Sequence, residues 1–196
     1  MSGSHIQDIL PLVEGPSRYL GNEVNAVHKD LAAMDLTVAL AFPDLYEIGS
    51  SHFGMQILYH VLNREPNIAA ERVFAPAEDM EAQLRRLGIP LLSLESRRPV
   101  KGFDIVGFSL LYELNYTNIL TMLELAGIPF FSRERGRGDP LVIAGGPCTC
   151  NPEPLAEFFD AMVVGDGEET LPAMVRRCIA WKKEGSGERE ELLRDW

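Results

Sequence analysis

Cysteine is scarce in this 196-residue chain, which has 3 in all: Cys148, Cys150 and Cys178. So few thiols, odd in number, do not make a disulfide framework, and a reducing cytoplasm is the expected compartment. Positive charge is also short. Lys and Arg number 18 against 29 Asp and Glu, a formal net charge of −11, and binding to nucleic-acid phosphates needs the opposite balance. No apolar run approaches the roughly 20 residues that cross a bilayer. The amino terminus, Met1-Ser-Gly-Ser-His5, has no cationic segment leading into an apolar core, so no signal peptide is expected. The Gly-x-Gly-x-x-Gly dinucleotide fingerprint follows none of the predicted strands, which disfavours a Rossmann oxidoreductase.

What the chain does have is alternation. Residues 1–35 read as an irregular arm, interrupted by Pro11, Gly15, Pro16 and Gly21. Leu36–Phe42 is an unbroken apolar run, the texture of a strand buried on both faces. A helix capped by Ser50 or Ser51 follows, with Met55, Leu58, Tyr59 and Leu62 on one face. Arg72–Pro76 reads as a short strand, Met80, Leu84 and Leu87 as a helical face, and Leu91–Leu94 as another short strand. Asp104–Ser109 and Pro140–Ala144 are further buried strands, and Ala161–Val164 is another strand. Tyr116, Ile119, Leu120 and Leu123 mark one more helix, Glu153–Phe159 a short one, and Leu171, Val175, Cys178 and Ile179 the last. Two helices end alike, at Leu87-Gly-Ile-Pro90 and Ala126-Gly-Ile-Pro129, where Gly can turn left-handed and Pro forbids continuation.

About five strand–helix alternations predict a doubly wound, mostly parallel α/β fold with flavodoxin-like strand order. The organisation read from composition is an arm over 1–35, an α/β domain over 36–181 and a polar segment over 182–196 that is a linker or the start of a new helix.

In open parallel sheets ligands bind beyond the carboxyl ends of the strands. The segments after the predicted strands are Asp44-Leu-Tyr-Glu-Ile-Gly49, Ser109-Leu-Leu-Tyr112, Gly145-Gly-Pro147 and Gly165-Asp-Gly-Glu168. All four are expected along one edge of the sheet. Glycine there either serves a tight turn or lets backbone approach a ligand closely. The two acids of Gly165-Asp-Gly-Glu168 oppose an anion, which argues against a phosphate in that turn. Cys178, on an apolar helical face, reads as a small core residue. His52 is either a capping and packing histidine or a group approaching the pocket.

In order, Asp44-x-Tyr46-x-x-Gly49, Ser109-x-Leu111 and Gly145-Gly146 resemble the three-part signature of cobalamin-binding domains, Asp-x-His-x-x-Gly, Ser-x-Leu and Gly-Gly. The stretches Phe42–Gly49, Phe108–Asn118, Ala144–Glu153 and Asp160–Glu168 are similar to the cobalamin-type N-terminal domain of an uncharacterised bacterial group of radical S-adenosylmethionine (radical SAM) proteins, over roughly Pro16 to Arg177. The resemblance implies a cobalamin site at Asp44, Tyr46, Gly49, Ser109, Leu111, Gly145 and Gly146. It also implies a radical SAM barrel in the parent protein as this domain's partner, with a 4Fe–4S cluster and S-adenosylmethionine bound there.

The chain departs from the pattern twice. The barrel's Cys-x3-Cys-x2-Cys motif is absent, so no such cluster is expected here, and the chain reads as an N-terminal fragment, inactive alone. Tyr46 stands where the family's cobalt-ligating His belongs, and a phenol with a pKa near ~10 is protonated and a poor ligand at neutral pH. Two functional readings follow. In one, the domain holds a corrinoid with no protein ligand beneath the cobalt. In the other, the fold is vestigial, its pocket filled by Tyr46, Tyr112 and Pro147, and it packs on and gates the barrel.

Overall fold

The structure, a computed structural model, describes residues 3–185 and 188–196. In chain order its elements are α1 (Gly3–Ile9), β1 (Leu36–Phe42), the single turn α2 (Tyr46–Gly49), α3 (Phe53–Arg64), β2 (Ile68–Phe74), α4 (Glu78–Leu87), β3 (Ile105–Ser109), α5 (Tyr116–Ala126), β4 (Leu141–Gly145), β5 (Ala161–Val163), α6 (Gly167–Glu184) and α7 (Arg189–Asp195). Short 3-10 turns fill several connections. The five strands form one sheet in the order β2-β1-β3-β4-β5, every pair parallel. This is the flavodoxin-like order, with its switch point between β1 and β3.

Why the chain takes this form is visible in β1, all seven of whose residues are buried. Alternate side chains leave a strand on opposite faces. Ala39 and Ala41 join Val106, Phe108, Val142 and Ala144 under α4 and α5. Leu36, Val38, Leu40 and Phe42 join Ile105, Leu141 and Ile143 under α3 and α6. A sheet covered on both faces needs apolar residues at both parities, which is why the strands read as continuous runs. The twin helix exits behave as expected. Gly88 and Gly127 are left-handed (φ 64° and 68°), and Ile89 and Ile128 return N–H bonds to Leu84 and Leu123.

Several boundaries differ from the sequence reading. β2 begins at Ile68, four residues earlier than Arg72, and ends at Phe74. Leu91–Leu94 is not a strand; it holds one antiparallel bridge, Leu92 to Pro99, and bonds outward through Leu91 N–H to Leu125 and Leu94 N–H to Arg72. The cap of α3 is His52, because Ser50 closes the α2 turn and Ser51 Oγ donates back to Ile48.

The two flanking segments are packed. Ile9 is fully buried in the core under α4 and α5. Lys29 donates to the carbonyls of Asn63, Glu65 and Ile68 at 2.6–2.8 Å, closing the end of α3. The segment 182–196, read as a linker or the start of a new helix, ends α6 and forms the helix α7, whose Leu192 is fully buried. Arg189 of α7 reaches Asp160, which Arg135 also grips, in a buried cluster (2.6 and 2.9 Å). Met1, Ser2, Ser186 and Gly187 lie outside the described residues. Among the described residues, no helix is long and apolar enough to cross a membrane.

Candidate functional site

Because every strand runs the same way, the loops after β1, β3, β4 and β5 share one rim of the sheet. At that rim, between the sheet and the starts of α3 and α6, lies an open hollow of about 430 Å³. Leu40, Met55, Leu58, Ile143 and Leu171 give it apolar walls. Its depth comes from missing side chains. On β3 the residues facing α3 and α6 run Ile105, Gly107, Ser109, and on β4 Leu141, Ile143, Gly145, so both strands shrink toward the rim. A Cβ on Gly107 or Gly145 would meet nothing closer than 3.6 Å and 4.0 Å. Gly146 is different. Its φ is 115°, and a Cβ there would lie 2.6 Å from the carbonyl oxygen of Leu110, so only glycine lets the β3 and β4 loops close on one another. Leu110 N–H donates to Gly145 (2.7 Å) and Cys148 N–H to Leu110 (3.2 Å), stitching that contact. Thr149, buried below, donates to the carbonyl of Gly146 at 2.7 Å.

Four of the seven residues expected at the site line this hollow: Ser109, Leu111, Gly145 and Gly146. Asp44, Tyr46 and Gly49 stand at the same rim but on the β2 side of β1. Asp44 accepts from Leu45 N–H (2.7 Å) and from the amide of Asn115 (3.3 Å). Gly49 is buried; a Cβ would meet Phe74 and Phe42 at 2.6 and 2.7 Å. Tyr46 turns away, edge-on to Phe74, and donates to Glu23 at 2.7 Å. Burial and that hydrogen bond push its pKa up to about 12, so the phenol keeps its proton. Tyr46 instead borders a separate hollow of about 40 Å³ with Arg18 and Tyr19.

The filling of the pocket by Tyr46 and Tyr112 is therefore not what the structure has. Neither lines the large hollow, and Tyr112 is exposed; Pro147 borders the hollow without closing it. The thiols do not converge. Cys148 and Cys150 sit at this rim, while buried Cys178 borders Asp104 and Trp181 at the opposite one. No group of three metal-ligating side chains occurs among the described residues. Lys182 pairs with Asp104 at that opposite rim (2.6 Å).

His52 also lines the hollow. Its Nδ1 accepts from Met55 N–H at 3.2 Å as the cap of α3, its ring packs on Phe42, and burial lowers its pKa. Sequence reasoning missed Gly107, Met55, Leu58 and Leu171 as lining residues. Only for Gly107 was there a signal, a glycine inside an otherwise apolar strand.

A parallel α/β domain of flavodoxin-like order, with a ligand-sized hollow where its strands end, is the class these features define. Residues 54–196, more than half of the chain, match the family described as radical SAM proteins, N-terminal, and the chain belongs to that family. It is also 24% identical over 143 residues to the uncharacterized protein MJ0966 of Methanocaldococcus jannaschii, a match covering 71% of this chain and 26% of that protein. The chain thus spans about a quarter of that relative's length.

Proposed function

We propose that this domain holds a corrinoid for a radical SAM enzyme, with the cofactor's nucleotide tail in the hollow between the sheet, α3 and α6. One observation carries the reading. The hollow is apolar, about 430 Å³, and open because Gly107 and Gly145 carry no side chains. That volume falls within the range of small-molecule sites, and walls of this kind suit a flat heteroaromatic base. Ser109, Leu111, Gly145 and Gly146 would hold the tail. The corrin ring would lie over the rim toward the turn of Asp44 to Gly49. The residues present fit the tail and not a ligand set for the metal, since Tyr46 is protonated and bonded to Glu23. When bound, a corrinoid supplies a metal centre able to carry a methyl group or an electron. The 4Fe–4S cluster and S-adenosylmethionine of such an enzyme belong to its barrel, and the unpaired thiols here suit a reducing cytoplasm.

The test is a titration with hydroxocobalamin followed by absorbance and thermal melting. Ligand at a hundred times its dissociation constant adds about 2.7 kcal/mol of stability. Gly107→Leu, which fills the hollow, should abolish binding, and cobinamide, which lacks the nucleotide tail, should bind more weakly than cobalamin. No spectral change and no thermal shift with cobalamin would overturn the reading.

A second reading has its own observation. Phe53, Tyr112 and Val164, each next in sequence to a residue that lines the hollow, are 78%, 62% and 68% exposed. Apolar residues gathered in this way favour a packing surface, and the partner would be the radical SAM barrel of the same parent protein. Without corrinoid binding, this rim would be the domain's whole function, as a structural module that gates the barrel.

A further inference from the structure

We infer that His52 is a ligand-binding residue of the hollow, acting as a hydrogen-bond donor through Nε2 to an acceptor on the bound tail. The inference rests on the corrinoid reading and adds to it a residue outside the three-part signature. His52 Nδ1 accepts the backbone N–H of Met55 at 3.2 Å. A neutral imidazole carries one N–H, and a nitrogen that accepts cannot also hold it, so the proton resides on Nε2. Burial lowers the group's pKa and keeps the ring neutral at pH 7.

Nε2 has no protein acceptor among the described residues. Among the described residues the buried side-chain nitrogens without a partner are those of Trp181, Arg189 and Trp196, so His52 Nε2 is not sealed in the core. His52 lines the hollow together with Ser109 and Gly145 and the apolar Leu40, Met55 and Leu58. The ring is fixed by the cap and by its packing on Phe42, with centroids 5.4 Å apart. A donor held rigid in apolar surroundings loses little entropy on binding and gains in strength from the low polarity around it. The same geometry denies His52 a role as a metal ligand, because neither nitrogen offers a free lone pair.

Two measurements test this. Long-range proton–nitrogen NMR of the unliganded protein reads the tautomer directly and should show His52 protonated at Nε2; protonation at Nδ1 overturns the inference. The variant His52→Ser keeps a good helix cap while removing the ring donor. Its melting temperature should stay near that of the parent chain, and its hydroxocobalamin dissociation constant should rise at least about fivefold, the worth of one net hydrogen bond. Unchanged affinity in His52→Ser, with cobalamin still bound by the parent chain, defeats the inference and leaves the corrinoid reading standing. No binding by the parent chain defeats that reading and this inference together.

Discussion

Tyr46 donates a 2.7 Å hydrogen bond to Glu23, and the other oxygen of Glu23 accepts from Arg72 at 2.9 Å. The residue at the supposed cofactor-ligating position is thereby tied to the amino-terminal segment and, through Arg72, to buried Glu95 on the far side of β2 (2.6 Å). Glu23 sits below the usual carboxylate range because these donors outweigh its burial. Tyr46→Phe should lower stability by about 1 kcal/mol, the net value of one such bond. Urea denaturation measures it, and an unchanged midpoint would show that the Tyr46–Glu23 bond contributes nothing.

Adjacent glycines at the end of β4 should respond in opposite ways. Gly146→Ala places a methyl 2.6 Å from a backbone oxygen at a φ of 115°. Backbone cannot swing aside as a side chain can, so the β3–β4 rim must open, and a loss of about 3 kcal/mol or more is expected. Gly145→Ala meets nothing closer than 4.0 Å and should fold normally. Thermal melts of the two variants, side by side, decide the matter.

Asp160 is buried and accepts from Arg135, Arg189 and the Val142 amide. Asp160→Asn leaves two buried guanidinium groups without a counter-charge. Removing one member of such a cluster costs about 3–5 kcal/mol. Amide exchange should show α7 losing protection first, since Arg189 is its anchor to the sheet.

Stability should weaken as pH falls from about 6.5, the usual histidine value. Burial holds the folded pKa of His52 below that value. The unfolded chain therefore takes up the proton first, and the contribution of His52, present above the unfolded value, is lost as pH falls toward the folded one. Protonation also removes the cap acceptor at Nδ1. The charged side chains that line the same hollow are Asp166, just before α6, and Glu168 in its first turn. Melting temperatures between pH 7.5 and 5.5 should decline in the parent chain and decline less in His52→Ser.

Much of the fold could be read from residue order, for reasons that differ by element. Leu36–Phe42, Ile105–Ser109 and Leu141–Gly145 carry their burial on both parities, so no distant information was needed. The first half of β2 was hidden by Glu71, an acid that is almost wholly buried. It tolerates that place because Ser96, 25 residues on, donates through both its hydroxyl (2.7 Å) and its backbone (3.2 Å). Leu91–Leu94 has strand-like composition but forms no ladder, bonding to β2 only through Leu94 N–H to Arg72. Ser109, Leu111, Gly145 and Gly146 were legible as residues of the rim because they end strands or follow them closely. Gly107 was not, since its role depends on which face of β3 it occupies. His52 was weighed and left open, because a cap and a pocket wall look the same in a sequence.

Lys29 ties three carbonyls together at the end of α3, and Ile9 sits beneath α4 and α5. A shortened protein begun at Leu36, where composition marks the domain's edge, would lose a plug from one side of the sheet and a clasp from the other. Its failure to accumulate in soluble form would reflect on the choice of starting residue and not on the domain, and expression trials should keep the preceding thirty or so residues.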